Sequence, residues 1–324
     1  MKVSETDYTL VIVTEDGAQH DISDFAEDLG WEENTKELAL RMSFTLATDN
    51  AELLSIVKIG CVAAVLTNGQ ERARAIINKA KVRKAGDRDT NTVLAYDELY
   101  PLQTSDDHFF FPAGQSTKTV LTQIFNDWGV PLGKYTGADV THERLVYRTG
   151  TVADTVLDIL DDAVKKGGPR SILRANQGKV ECVERGENET VYLFDEDDTI
   201  AAEQTTSITE LVTRVKIVGK EDKTTGIPPV EATLNGLTEF GIRQKIYTRE
   251  KDATTAEAQT AAQAILDEKG KIGKTQSIVA PDVPEMRKGD RIEADLGGIS
   301  GSYYVIGIQH DADAGQMTLE IEAA

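Results

Sequence analysis

Residues 302–322 read SYYVIGIQHDADAGQMTLEIE, and their alternation decides the fold class. Met317, Leu319 and Ile321 are separated by single polar residues, the period-two pattern of a strand with one buried face. The apolar run at 303–308 reads as a partner strand, and Asp311, Asp313 and Gly315 between them supply a polar turn. Upstream, Arg287, Lys288, Gly289 and Asp290 form a second turn before Ile292. This pattern predicts three or more strands closing a barrel or sandwich.

The same grammar recurs at the other end of the chain. Tyr8, Leu10 and Ile12 share one face before the turn residues Glu15, Asp16 and Gly17. The run at 62–66 leads into Thr67, Asn68, Gly69 and Gln70, and an Asn-Gly pair favours a hairpin because both turn positions need positive φ. Further strands are expected at 73–82 and 92–96, so the first hundred residues read as mostly β.

The middle of the chain is different. After Ser105, the acidic pair Asp106 and Asp107 precedes the aromatic run 109–111, and Pro112 and Gly114 break the chain. From Ser116, a suitable N-cap, the residues Val120, Leu121, Ile124, Phe125 and Trp128 follow helical spacing and stop at Gly129. Thr151 caps a second helix with a stripe of Val152, Val156, Leu157, Leu160 and Val164, closed by Lys165, Lys166 and Gly167. A hairpin around Asn176, Gln177 and Gly178 completes an α+β module, and β character returns at 210–218 beyond it. Residues 221–229 are loop-like. Thr254 and Glu257 form a capping box before the narrow apolar face of Ala258, Ala261, Ala262, Ile265 and Leu266. The expected fold is α+β, mostly β: a β domain at 1–104, a small α+β module at 105–190, and a second β domain at 191–324 with one helix near 254–269.

Composition narrows function by exclusion. The 324 residues suffice for two or three domains, and with 40% hydrophobic residues, 28% charged residues and 8 prolines they read as globular. No apolar run approaches the roughly 20 residues that cross a bilayer, and the start at 1–7 has no basic segment followed by an apolar one. A product made in the cytoplasm, without membrane association, is expected. Cys61 and Cys182 sit far apart in apolar stretches and read as buried thiols rather than a disulfide or a metal pair. A formal charge of −20 argues against nonspecific nucleic-acid binding, which depends on Lys and Arg neutralising phosphates.

Catalytic motifs fail one by one. Gly273, Lys274 and Thr275 suggest a phosphate loop, but Glu268 stands where its first glycine belongs. Ser300 has Gly298 before it and Ser302 after it, which breaks the nucleophile elbow. His20, His108, His142 and His310 are dispersed and read as solvated. Asp311, Asp313 and Gly315 open like a calcium loop but lack the downstream glutamate, so a polar turn is favoured and an ion there stays open. Asp161 with Asp162, and the acidic run 195–198, could supply paired carboxylates, yet adjacency in sequence does not make two carboxylates face one bond. No catalytic, cofactor-binding or metal residue is assigned.

Five blocks carry a family resemblance: VLAYDELYP at 93–101, FPAGQSTKTVL at 111–121, SITELVTRVKIV at 207–218, MRKGDRI at 286–292, and the closing 302–322. In this order they resemble the XkdQ-like tail hub proteins, relatives of the late control gene D hub family of contractile phages. The resemblance implies two tube-type β-barrel domains per chain and a homotrimeric ring adapting a hexameric tail tube to a trimeric spike. It further implies a non-enzymatic part of the virion tail baseplate or of a phage-tail-like particle, assembled in the bacterial host cytoplasm. Tail tube, spike, tape-measure, neighbouring baseplate and wedge proteins are the implied partners, with DNA passing through the lumen unbound. The rival readings are a tail tube or other ring-forming tail protein, and a tail-tip cell-wall hydrolase in which substitution of Asp97 or His310 would abolish turnover.

Overall fold

The computed structural model describes residues 7–48, 50–85, 88–221, 225–249 and 253–324; the expectations made for residues 1–6 and 222–224 lie outside them. At 46% strand and 19% helix, the chain is mostly β. It divides into two compact units, Met1–Glu203 with Ser277–Ala324, and Gln204–Gln276.

The N-terminal part of the first unit is antiparallel. Its elements are β1 (Tyr8–Val13), β2 (Gln19–Asp21), β3 (Ala26–Asn34), β4 (Arg41–Leu46), α1 (Ala51–Ile56), β5 (Val62–Thr67), β6 (Gln70–Ala85) and β7 (Arg88–Tyr96). The strands pair in the order β3-β4-β7-β6-β5-β1-β2. Asn68 and Gly69 join β5 to β6 with φ of 52° and 74°, as the Asn-Gly reading requires. Leu10 and Ile12 of β1 share one core with Trp31 of β3, Phe44 of β4, Val65 of β5, Ile77 of β6 and Val93 of β7. Strands β1 and β3 lie far apart in this order yet contribute to the same core, so the sheet curls around it. The Tyr8 and Trp31 rings meet edge to face at 5.4 Å.

The module that follows contains α2 (Tyr100–Thr104), β8 (Phe109–Phe111), α3 (Thr117–Asp127), β9 (Leu132–Tyr135), β10 (Leu145–Tyr147), α4 (Val152–Lys165), β11 (Ser171–Asn176) and β12 (Lys179–Glu184). Both helices start at the expected caps: Ser116 accepts the Thr119 N–H and Thr151 the Asp154 N–H. Val120, Leu121, Ile124 and Phe125 of α3 pack with Val152, Val156 and Ile159 of α4 and with Leu173, Val180 and Cys182 beneath. Both cysteines are buried free thiols.

The remaining strands are β13 (Tyr192–Asp195), β14 (Ala201–Ser207), β15 (Arg214–Val218), β16 (Val230–Asn235) and β17 (Gln244–Thr248), then α5 (Thr255–Lys269), β18 (Gly273–Pro281), β19 (Arg291–Leu296), β20 (Ile299–Asp311) and β21 (Gln316–Ala323). In the second unit, α5 starts at the expected capping box and lays Ala258, Ala262 and Leu266 on Val215 and Ile217 of the small sheet β16-β15-β17. In the first unit, β19, β20 and β21 form an antiparallel meander over Ile292, Val305, Ile308, Leu319 and Ile321.

Two separate closed barrels are not what these strands make. No sheet closes into a barrel among the described residues; instead β20 pairs with β3, with Gly307 opposite Asn34 and Asp311 opposite Gly30, and strands from both ends of the chain join one 13-stranded sheet. The reason is the length of β20. Along one edge its 13 residues pair with β19 through Ile299–Tyr304 and then with β3 through Gly307–Asp311, while β21 occupies the other edge. Period-two alternation reports which face of a strand is buried, and is silent on which strand borders each edge.

The β3–β20 pairing depends on a close backbone approach. A Cβ on Gly30 would stand 2.8 Å from the His310 carbonyl oxygen, whereas one on Gly307 would meet only side-chain atoms, at 3.2 Å. Gly30→Ala should therefore cost about 1–3 kcal/mol and Gly307→Ala clearly less. Thermal unfolding of the two variants against the parent checks this, and equal melting temperatures would refute it.

A buried polar junction as the candidate functional site

The MRKGDRI turn lies where three regions of the first unit meet. Gly289 takes φ of 88°, and a Cβ there would stand 2.6 Å from Ile172 Cγ1, so the turn needs glycine for both conformation and space. Its N–H donates to the Val305 carbonyl at 2.7 Å, and the Arg287 N–H donates to Asp290 Oδ2 at 2.9 Å. The turn so fixed sends its charged side chains inward.

Arg287 grips Glu33 of β3 with two parallel bonds of 2.5 and 2.6 Å and also donates to the Ala175 carbonyl at 3.0 Å. Lys288 is 1% exposed, and its Nζ donates to the carbonyls of Asn34, Glu37 and Leu38 at 3.3, 3.0 and 2.7 Å, using all three of its protons. Arg174 of β11 donates to Asp290 Oδ1 at 3.0 Å. Asp97, from the VLAYDELYP block, accepts the Leu40 and Leu99 N–H groups at 2.8 and 3.0 Å. Two of the five blocks that carry the family resemblance thus meet in one junction.

Burial alone would raise the Glu33 carboxyl, but the charge and hydrogen bonds of Arg287 outweigh it and hold the group at about 2. Arg287 is desolvated too, and Glu33 still carries it above its ordinary value. Desolvation wins at the other sites: it pushes Asp97 up to about 7, raises Asp290 and lowers Lys288. The charges of this group are spent largely on one another and on nearby backbone, and their bonds tie β3 and β11 to the MRKGDRI turn.

Two histidines depart from the solvated reading. His310 is 1% exposed, stacks on Trp31 at 4.4 Å, and bonds Asp282 through Nδ1 at 2.6 Å, while Tyr8 donates its hydroxyl to the same carboxylate. His142, also buried, bonds Asp162 through Nδ1 at 2.7 Å and Thr117 through Nε2 at 2.8 Å. That Thr117–His142–Asp162 chain has the order of a nucleophile, base and orienting acid. Thr117, however, is wholly buried at the first turn of α3, so the array clamps α3 to α4. Lys166 and His142 hold the Asp162 carboxyl below its ordinary value against the opposing effect of burial. Sequence spacing missed both arrays, because each depends on partners 20 or more residues away. His20 is half-buried and His108 exposed.

The other candidates are placed as strand or turn residues. Gly273, Lys274 and Thr275 lie in the extended β18, and Ser300 lies in β20. Asp195 Oδ1 accepts the N–H groups of Asp197 and Asp198, making that acidic run a turn. Asp161 approaches Arg170 at 4.0 Å while Asp162 is engaged with His142 and Lys166, so the two do not act as a pair. Asp311 accepts the Ala314 N–H and Asp313 the Asp28 N–H, which ties the β20–β21 turn to β3. Among the described residues no group of three or more His, Cys, Asp or Glu side chains is arranged to hold a metal. Asp97 and His310, the hydrolase candidates, are 2% and 1% exposed.

Glu33→Gln leaves the Arg287 guanidinium buried without its carboxylate and should cost about 3–5 kcal/mol in urea denaturation at neutral pH; replacing both residues with uncharged ones should recover most of that. The pH dependence has two opposite parts. Glu33 is depressed from 4.5 to about 2, so its stabilisation is complete above about 4.5 and is lost as pH falls towards 2, a slope that Glu33→Gln removes. Asp97 is raised from 3.8 to about 7, so the folded state holds its proton longer and stability falls as pH rises through that window, a slope that Asp97→Asn flattens.

Solved structures share this fold over nearly the whole chain. The 43 kDa tail protein of prophage MuSo2 from Shewanella oneidensis matches with a TM-score of 0.70 and 13% identity, covering 97% of this chain and 98% of that one. A tail protein from Neisseria meningitidis MC58 gives 0.68 and 12%, covering 97% and 96%. The E. coli c3393 protein, a component of the type VI secretion system with structural similarity to T4 bacteriophage tail proteins gp27 and gp5, gives 0.53 and 6%, covering 100% and 76%. At these identities the likeness is one of fold. No curated protein sequence matches the chain. A family model described as YQBQ-like matches residues 29–324, which takes in β20, the MRKGDRI turn and most of β3. The chain belongs to the YQBQ-like family.

Proposed function

We propose that the chain is a structural baseplate hub of a contractile phage tail or phage-tail-like particle, a homotrimeric ring adapting the hexameric tail tube to the trimeric spike. The observation that carries this reading is the end-to-end likeness to two tail proteins, which spans 97% of this chain and at least 96% of each of theirs. A partial likeness would fit a domain borrowed for another task; agreement over both full lengths supports a shared role.

In this reading the curled N-terminal sheet and the β19–β21 meander are the two tube-type regions, the divisions near residues 104 and 190 separate them from the α+β module, and the buried junction keeps them in fixed register under load. Spike, tube, tape-measure, neighbouring baseplate and wedge proteins are the partners. The particle's tail is the location, reached by assembly in the host cytoplasm. The charge of −20 suits a channel through which DNA passes without sticking. The reading assigns no catalytic residue, and the sealed Thr117 hydroxyl gives the hydrolase alternative no support.

Cryo-electron microscopy of tail particles from a producing cell tests the assignment. Threefold density at the tip of the tube should accommodate residues 7–324, with the Arg287–Glu33 pair inside each subunit. Particles whose tip is built from a different chain would overturn it.

A further inference from the structure

The most basic exposed stretch of this acidic chain is created by a defect in a strand. Up to Ile77, the odd-numbered residues of β6 face the core: Ala73, Ala75 and Ile77 are buried. Between Ile77 and Lys79 the register against β7 shifts, from Ile77 opposite Ala95 to Lys79 opposite Leu94. This β-bulge absorbs Asn78 and reverses the phase of the strand. Beyond it Ala80 stands opposite the buried Val93, and Lys79, Lys81 and Arg83 fall on the outer face beside Leu94, Thr92 and Thr90. Without the bulge these three cations would point towards the core.

The result is a row of three cations about 7 Å apart on one face of β6, where it pairs with β7 beyond the end of β5. All three are exposed, as are Asn78, Ala80 and Val82 on the same strand, the last at 61%. Nearer the core, Arg72 pairs with Glu285, and Arg74 with Glu71 and Glu98. Lys79, Lys81 and Arg83 have no acidic partner among the described residues, in a chain with 55 acidic and 35 basic side chains. Exposed cations within reach of so large an acidic excess pair readily, so a row with no acidic partner among the described residues is open to a partner.

We propose that the Lys79–Lys81–Arg83 face of the β6–β7 ribbon is an interaction surface whose occupant is a second copy of this chain. Charge complementarity argues for that occupant. Two copies carrying −20 repel at long range, so self-association needs a local contact of opposite sign, and this ribbon supplies it against the acidic surface of a neighbour. Nucleic acid is disfavoured: three phosphate contacts bind weakly at physiological salt, and the rest of the molecule repels a polyanion. A contact between a ribbon on one copy and a different surface on the next is heterologous, which is the kind that closes rings. The inference rests on the ring reading proposed above and names the surface that builds it.

The test compares the wild-type chain with Lys79→Glu/Lys81→Glu/Arg83→Glu by analytical ultracentrifugation from about 0.05 M to about 0.5 M salt. A short fluorescent DNA duplex is titrated in parallel, and thermal melts check the fold. The wild type should form trimers that loosen as salt rises, and the variant should melt at the same temperature yet associate at least about 100-fold more weakly. A variant that trimerises like the wild type overturns the ribbon assignment and leaves the ring reading standing. Loss of DNA binding with trimers intact also overturns it, and reassigns the ribbon to nucleic acid. A wild-type chain that stays monomeric overturns the ring reading and this inference with it.

Discussion

The pairing of β3 with β20 is the constraint on which the first unit depends. It joins residues about 280 positions apart in sequence and makes one sheet out of strands from both ends of the chain. Three of the polar contacts described above border it. His310 stacks on Trp31 across it, Asp313 accepts the Asp28 N–H at its margin, and the Arg287–Glu33 pair closes the core beside it. Such a contact forms only after a long loop closes, so the side chains around it must reward the correct register strongly enough to hold it.

Hydrophobic burial does not supply that register by itself. A strand slipped by two residues keeps the same face inward and loses little apolar area, whereas directional bonds are lost at once. Arg287 must find both oxygens of Glu33, and Lys288 must find three carbonyls that converge from one short segment. The arrangement gains little over an apolar replacement in net stability, because desolvating several charges offsets most of their attraction. Its benefit is that a misaligned alternative buries the same charges without partners, at a cost of several kcal/mol.

Local features of the fold were legible in the sequence and long-range ones were not, for reasons visible at single residues. Ser116, Thr151 and Thr254 could be named as caps because a cap binds an N–H only three residues away. Asn68-Gly69 and Gln177-Gly178 declared their turns because positive φ is a local demand. Strand β3 escaped notice because its core face reads Leu29, Trp31, Glu33, and a glutamate there looks like a surface residue until its arginine, 254 positions away, is known. The two buried histidines were misread for the same reason, and β20 revealed its inward face while concealing its neighbours. The junction was half legible: MRKGDRI was recognised as a turn, but nothing local shows that its charges point inward.

The buried arrays also bear on why chemistry-like side chains occur in a protein read as structural. Thr117–His142–Asp162 and Tyr8–Asp282–His310 combine residue types that other folds use for proton transfer, yet Thr117, His142, Asp282 and His310 are almost wholly buried and their bonding capacity is largely spent within the arrays. Catalysis requires a group that can meet an incoming atom, and alignment requires one that cannot be reached by water. The same imidazole serves either end, depending on whether its outer face meets a cleft or a tryptophan. Here His310 lies against Trp31, and His142 lies between the first turn of α3 and α4, so both behave as directional fasteners whose value grows as water is excluded. Bonds of fixed length and direction resist sliding between packed elements where apolar faces alone would yield.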